Sequence, residues 1–401
     1  MKQAPWARLV SAFLLMLLAG CGTLTSGAVN SSALRRAPAD VYADQGAGLD
    51  ATVDAWARPL VARGETPGLE IGLLLPDGSR RFYGYGTTRR DGGHAPDADT
   101  LFAVGSLSKG FLAGIAATMV ADGSLSWDDR LATLLPPGTP LSPAAAHITV
   151  VQLATHSSGL PRQPYTADIL ARFLGYFFTG ENFYRSLDRQ AVLDYLADFS
   201  PSTPIESQYS NIGYAILGEV VTERAGQSID ELLASRITDP LGLTHTGYRP
   251  ELLPGYAERA IGHAGDEPKF IPRGATTPDW HFTEILRGAA ALTSTARDLL
   301  TFAAAHLDPQ GPPPRPALAD NLRVRIPRAE EAAAIAWIAD DSGGQHVLYQ
   351  VGLIGGYTSY LAVDPEHHTA VVVLENAFNW DNSLGRSLMA LLTRHAPAAN
   401  W

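Results

Sequence analysis

Apolar residues recur with two different periods along the chain, and the change of period divides it. Over residues 50–61 they fall at Val53, Trp56, Leu60 and Val61, one face of a helix with 3.6 residues per turn. Residues 69–75 and 81–85 read as strands joined by Pro76-Asp77-Gly78, a hairpin signal. From about 106 to 300 the spacing turns mostly helical. Capping residues punctuate it, such as Thr149 before Val150 and Ser294 before the apolar run 296–305. Near the end, residues 346–352, 357–363 and 369–374 are β-branched or alternating runs, the last two joined by Asp364-Pro365-Glu366-His367. A final helix is expected over 382–394. The stretch 308–316, with five prolines and Gly311, reads as a loop. Strands at both ends with helices between them predict an α+β fold, an α/β sandwich. One antiparallel sheet is built from the N- and C-terminal segments and flanked by helices, with a mainly helical lobe inserted at about 120–290.

The first fifty residues follow a different pattern. Lys2 and Arg8 precede an apolar run at 9–18, broken only by Ser11 and about ten residues long, against the roughly twenty that a bilayer span needs. It reads as the apolar region of a signal peptide covering 1–20. Leu18-Ala19-Gly20-Cys21 resembles the lipobox of bacterial lipoproteins, in which the cysteine is lipidated and becomes the first residue of the mature chain. That resemblance implies a periplasm-facing protein on a lipid anchor, and Gly22 after the cysteine favours the outer membrane. Residues 21–48 are small and polar, without apolar periodicity, and read as a flexible tether to a folded domain at 49–397.

Composition removes several function classes. The chain has 401 residues and a net charge of −11, which argues against a nucleic-acid partner, whose phosphates call for a basic surface. Apolar residues make up 46% and charged residues 18%, so the chain is globular. Its single cysteine excludes a disulfide framework and a cysteine-ligated metal. The histidines show no metal-ligand spacing, and His367-His368 falls in a predicted turn. Neither metal nor cofactor is expected. The length exceeds what a single core accommodates, about 250–300 residues, so two packed lobes are expected.

The candidate chemistry begins at Gly105-Ser106-Leu107-Ser108-Lys109, ahead of an apolar helix. Ser106 and Lys109 are three residues apart and project from one helix face. A hydroxyl is a weak nucleophile and needs a base beside it. A lysine serves once burial lowers its pKa, whereas an arginine stays charged. Of the 30 basic residues only three are lysines, and one of them sits here. Tyr209-Ser210-Asn211 opens a second apolar helix, and a tyrosine near an ammonium is expected to favour its phenolate and relay a proton. Gln350-Val351-Gly352-Leu353 lies on a late strand followed by Gly355-Gly356. Glycines there suit either close approach of a substrate backbone or a strand-to-strand turn.

In this order the three elements resemble the serine β-lactamase and penicillin-binding protein superfamily. The tyrosine in the second points to class C β-lactamases and related D,D-carboxypeptidases and endopeptidases. Residues 148–161, 240–243 and 288–299 also look like that family. The resemblance implies Ser106 as acylated nucleophile and Lys109 with Tyr209 as acid/base pair. It further implies Asn211 as a contact for a substrate amide, and the N–H groups of Ser106 and Leu353 as an oxyanion hole. Gln350 and Gly352 belong to the same substrate-binding strand. The substrate would be a small molecule or a peptidoglycan-derived peptide, an amide such as a D-Ala peptide or a β-lactam. The sequence departs from the family at Gln350, where Lys or His is usual. A neutral amide binds a substrate carboxylate more weakly than a cation does. Arg386 on the last helix is a candidate replacement. The departure keeps a carboxylesterase on the same fold in view, and a non-catalytic cell-wall binding protein is the alternative from another class. His156 is expected to pack or cap a turn. The aromatic cluster Phe173, Tyr176, Phe177, Phe178, Phe183 and Tyr184 reads first as core and second as the lining of a cleft.

Overall fold

The structure, a computed structural model, describes residues 48–201, 208–328, 330–342 and 345–395. The expected signal peptide, Cys21 and nearly all of the expected tether lie outside the described residues.

Nine strands are described: β1 (Gly68–Leu74), β2 (Arg80–Gly86), β3 (Phe102–Ala103), β4 (Thr293–Ser294), β5 (Ala332–Ala333), β6 (Ile338–Ser342), β7 (Gln345–Ile354), β8 (Tyr357–Asp364) and β9 (Thr369–Glu375). The helices of nine or more described residues are α1 (Leu49–Ala62), α2 (Ser108–Ala121), α3 (Ala167–Thr179), α4 (Arg189–Ala197), α5 (Asn211–Ala225), α6 (Ala296–His306) and α7 (Ser383–His395). The main sheet runs β2-β1-β9-β8-β7-β6-β5, and each neighbouring pair in it is antiparallel. The N-terminal hairpin is therefore joined to the C-terminal strands through the β1–β9 pair, the arrangement the two-ended strand pattern predicts.

Side-chain alternation assigns the two faces. Leu69, Ile71, Leu73, Val371 and Val373 pack with Val53, Trp56 and Leu60 of α1 and with Leu384, Leu388 and Leu392 of α7. The intervening positions Leu74, Val372 and Leu374 face the opposite core, shared with Leu299 and Leu300 of α6 and the helical insertion. This is period-two packing on a sheet covered on both sides. α2 is buried from Ser108 through Ala117, because sheet and lobe enclose it together. That position, rather than an apolar stripe, explains its uniformly apolar sequence.

Local details correct the sequence reading in three places. The cap of α6 is Thr295, whose hydroxyl accepts the Asp298 N–H, not Ser294, which belongs to β4. The expected loop 308–316 ends in a short helix, Arg315–Asp320, with Pro316 in its first turn, where a missing N–H costs nothing. β5 and β6 were not anticipated; residues 338–342 carry two aspartates and do not read as a strand.

Candidate active site

The nucleophile turn is held from three directions. Gly105 adopts φ +52, a conformation open to glycine, and leads into a single 3-10 turn at Gly105–Leu107 before α2 begins. Ser108 Oγ donates to Gly105 O at 2.6 Å and accepts from Leu292 N at 2.9 Å. Val104 N donates to Leu292 O at 3.0 Å, and Ser359 Oγ of β8 donates to Val104 O at 2.9 Å. The motif on 288–299 thus anchors the start of α2.

Three of the sequence-derived residues converge here. Lys109 Nζ lies 3.1 Å from Ser106 Oγ and donates to Ala289 O at 2.7 Å. Tyr209 OH donates to Ser106 Oγ at 2.6 Å. Lys109 Nζ also sits 4.9 Å from the Tyr209 ring centroid. Burial, reinforced by the nearby Arg162 cation, holds the Lys109 pKa well below its ordinary value. Burial pushes the Tyr209 phenol up to about 12, against the opposing pull of Arg162 and of the bond to Ser106. The expected preference for a phenolate is therefore overturned: desolvation outweighs the neighbouring positive charge, and burial favours the neutral form of both groups.

The second motif is clamped by residues 156–162. A capping box between Thr149 and Gln152 starts the short helix Val150–Ala154. His156 follows at φ 58. Its carbonyl accepts from Gln208 N at 2.9 Å, and its Nδ1 lies 3.0 Å from Ser210 N, which makes Nδ1 the acceptor nitrogen. Pro161 O accepts from Ser210 Oγ at 2.7 Å, and Arg162 O accepts from Asn211 N at 3.0 Å. His156 therefore does more than cap a turn, since its ring lies 4.5 Å from that of Tyr209 and orients the loop carrying it. Burial, then Lys109 and Arg162, keeps its pKa well below the usual histidine value.

β6 pairs with β7 only as far as Tyr349, so the edge from Gln350 to Ile354 is left open toward Ser106. The Leu353 N–H lies beside Gly105, 3.3 Å from where a Cβ on that glycine would stand. The glycine expected to admit substrate has another role. A Cβ on Gly352 would lie 2.1 Å from Val104 O and 2.2 Å from Ser359 Oγ, so Gly352 lets the strand pack on the nucleophile turn. Gly356, at φ +81, makes the turn into β8. Gln350 is 4% exposed, and neither of its amide atoms has a hydrogen-bond partner among the described residues. It lies against α2 at Gly110, where a Cβ would stand 2.5 Å from Gln350 Nε2.

Ser106 opens onto two clefts. One is shared with Lys109, His156, Tyr209, Gln350 and Arg328, and the other with Asn211, Leu353, Arg162, Glu267 and Trp280. Asn211 Nδ2 donates to Tyr184 OH at 2.9 Å, and Tyr184 OH donates to Gln163 Oε1 at 2.8 Å. The aromatic cluster divides between core and cleft. Tyr176, Phe183 and Tyr184 line the second cleft, Phe173 and Phe177 are buried in the core, and Phe178 is 65% exposed. Arg386 does not reach the site; it pairs with Asp340 at 3.4 Å and lies over the Tyr349 ring. The cations beside the nucleophile are Arg162 and Arg328, neither singled out by the sequence. Arg162 follows the 148–161 motif directly, the one signal that pointed to it.

The chain is similar to known proteins. A family model described as Beta-lactamase matches residues 53–393. Penicillin-binding protein 4 of Amycolatopsis lactamdurans is 28% identical over 333 residues, covering 77% of this chain and 81% of its own. The D-alanyl-D-alanine-carboxypeptidase/endopeptidase AmpH of Escherichia coli (strain K12) is 25% identical over 323 residues, covering 76% of this chain and 78% of its own. The crystal structure of a class C beta lactamase from Rhodobacter sphaeroides shares the fold, with a TM-score of 0.70 and 24% identity over 86% of this chain and 98% of that one.

Proposed function

Because the chain belongs to the beta-lactamase family, in which it is a serine hydrolase, we propose that it hydrolyses cell-wall peptide amides or β-lactam-like amides through an acyl-enzyme on Ser106. The observation that carries this reading is the single oxygen of Ser106 held at 3.1 Å from Lys109 Nζ and 2.6 Å from the Tyr209 phenol. In its neutral form, which burial favours, Lys109 takes the Ser106 proton as Oγ bonds to the substrate carbonyl carbon. The Ser106 and Leu353 N–H groups receive the developing oxyanion; one such donor is worth about 2.7–4 kcal/mol in comparable sites. When the C–N bond breaks, Tyr209 protonates the leaving nitrogen, and the Lys109 ammonium restores the phenol. Water then attacks the ester with the same groups in reverse order.

The substrate class draws support from the names of two relatives, a penicillin-binding protein and a D-alanyl-D-alanine-carboxypeptidase/endopeptidase. A carboxylesterase is the second reading, favoured by the neutral, buried Gln350 where the family usually has a cation. A fluorescent penicillin and a fluorophosphonate, each run against Ser106→Ala, separate the two. Penicillin labelling lost in the variant supports the amide hydrolase, and fluorophosphonate labelling alone supports the esterase. No Ser106-dependent adduct with either refutes both. The Leu18-Ala19-Gly20-Cys21 run, which holds the sole cysteine, supports a lipid anchor that keeps the enzyme at the periplasmic face of a membrane, the outer one favoured by Gly22. On this reading Cys21→Ser moves the protein from the membrane to the soluble fraction, and unchanged partitioning overturns it.

A further inference from the structure

The two clefts meeting at Ser106 differ in what they leave unsatisfied. Tyr209, which protonates the leaving nitrogen, lines the cleft of Lys109, Gln350 and Arg328, so the leaving group extends that way. The acyl group must then extend into the other cleft, about 590 Å³ with its open mouth included, which holds Leu353 and Asn211. Two buried oxygens there have no hydrogen-bond donor among the described residues: Asn211 Oδ1 and Glu267 Oε2. Asn211 is 9% exposed and Glu267 7%.

The orientation of Asn211 follows from its neighbours. The single Tyr184 proton is spent on Gln163 Oε1, so the Tyr184 oxygen can only accept, and it receives Asn211 Nδ2. The carbonyl end of Asn211 is what remains for a ligand. The cleft that holds both residues is lined by aromatic rings, among them Phe183 and Trp280 at 5.4 Å between ring centroids, Phe378 and Trp380. Arg162, a cation of the same cleft, is engaged by the Tyr209 ring at 5.0 Å and by the Tyr184 hydroxyl. Asn211 Oδ1 and Glu267 Oε2, the latter on an acid whose carboxyl also meets the Trp380 side chain, the Lys269 N–H and the Lys269 cation, are two oxygens left to accept from a ligand in an aromatic-lined cleft, complementary to a compact cation bearing several N–H groups.

We propose that the acyl-side cleft recognises a protonated primary amine on the substrate's acyl portion, with Glu267 and Asn211 Oδ1 as its acceptors and the surrounding aromatic rings as its cage. Glu267 is thus a specificity-determining residue for the hydrolysis. The inference rests on the proposed acyl-transfer chemistry at Ser106 and adds to it which acyl donors are preferred.

The test compares two peptides ending in D-Ala-D-Ala whose acyl-side lysine carries either a free ε-amine or an Nε-acetyl group. The expected result is a preference of tenfold or more in kcat/KM for the free amine, falling toward unity in Glu267→Gln, which keeps the shape and removes the acid. A ratio measured within one preparation is independent of how much of the variant is folded. Equal rates in the unsubstituted enzyme, or a preference that survives Glu267→Gln, overturn the inference. If neither peptide is turned over while a fluorophosphonate still labels Ser106, the cell-wall peptide reading fails. The amine is then tested with p-nitrophenyl esters of ω-amino acids against their N-acetylated forms. The same preference and the same dependence on Glu267 are expected there, and their absence overturns the inference.

Discussion

Lys109 and Tyr209 contact the same serine oxygen, and burial moves their pKa values in opposite directions, the amine down and the phenol up to about 12. Both shifts favour the neutral form, which gives the amine a free lone pair and leaves the phenol its proton. Activity should therefore rise with pH through the lowered pKa of Lys109, stay level, and fall only as Tyr209 ionises toward pH 12. Lys109→Arg should reduce kcat/KM by about 10²–10⁴-fold with no recovery up to pH 10, because a guanidinium does not deprotonate in that range. A pH–rate profile of both proteins checks the sign and the loss together. Ser106, Lys109, Tyr209 and Asn211 were legible in the sequence because each pair is a short local spacing on a turn or helix. His156 was read only as packing or capping a turn and Arg162 was given no role, because their work is done across 54 residues of chain on the backbone of Ser210 and across the face of the Tyr209 ring.

At the scale of elements, the site depends on how closely β7 lies against the turn before α2. Gly352 sets that distance, and its would-be Cβ meets the Val104 backbone carbonyl, which cannot move aside, as well as Ser359 Oγ. Gly352→Ala should destabilise the protein by about 1–3 kcal/mol and displace the Leu353 N–H from the nucleophile. Thermal melting reads the first effect. The rate of Ser106 acylation by a fluorophosphonate reads the second, and should fall by more than the loss of folded protein explains. The motif itself was visible in the sequence, but the reason for its glycine was not, because Val104 stands 248 positions earlier in the chain. β6 escaped notice for a different reason. It lies near the sheet edge, where burial no longer imposes an alternating pattern, and it carries Asp340 and Asp341.

Across the whole molecule, burial raises the pKa of three acids. Glu70, fully buried in β1 with both carboxyl oxygens lacking partners among the described residues, is pushed up to about 8 by burial and then by Asp97 and Asp99. Burial likewise pushes Glu375 up to about 8, against the bond from Asn379, and Glu267 up to about 7. A raised folded-state pKa means that the folded protein binds more protons than the unfolded chain. The associated stability is complete below about pH 4.5 and is lost as pH rises through 7–8. At the acid end Asp122, lowered to about 2 by Ser124 and Arg236, acts in the opposite sense. The melting temperature should therefore be highest near pH 5 and decline toward pH 9. Glu70→Gln should flatten that decline, and melting curves across the range decide it.

The sequence by itself determined the architecture and the order of the three candidate motifs. Period-two and period-3.6 patterns report which face of each element is buried, and short spacings report which side chains share a turn. Only the tertiary structure decided the protonation of Lys109 and Tyr209, the clamp on Tyr209-Ser210-Asn211, and the placing of Arg162, Arg328 and Glu267 rather than Arg386 beside the nucleophile. These depend on burial and on contacts between segments far apart in the chain, which no local pattern encodes.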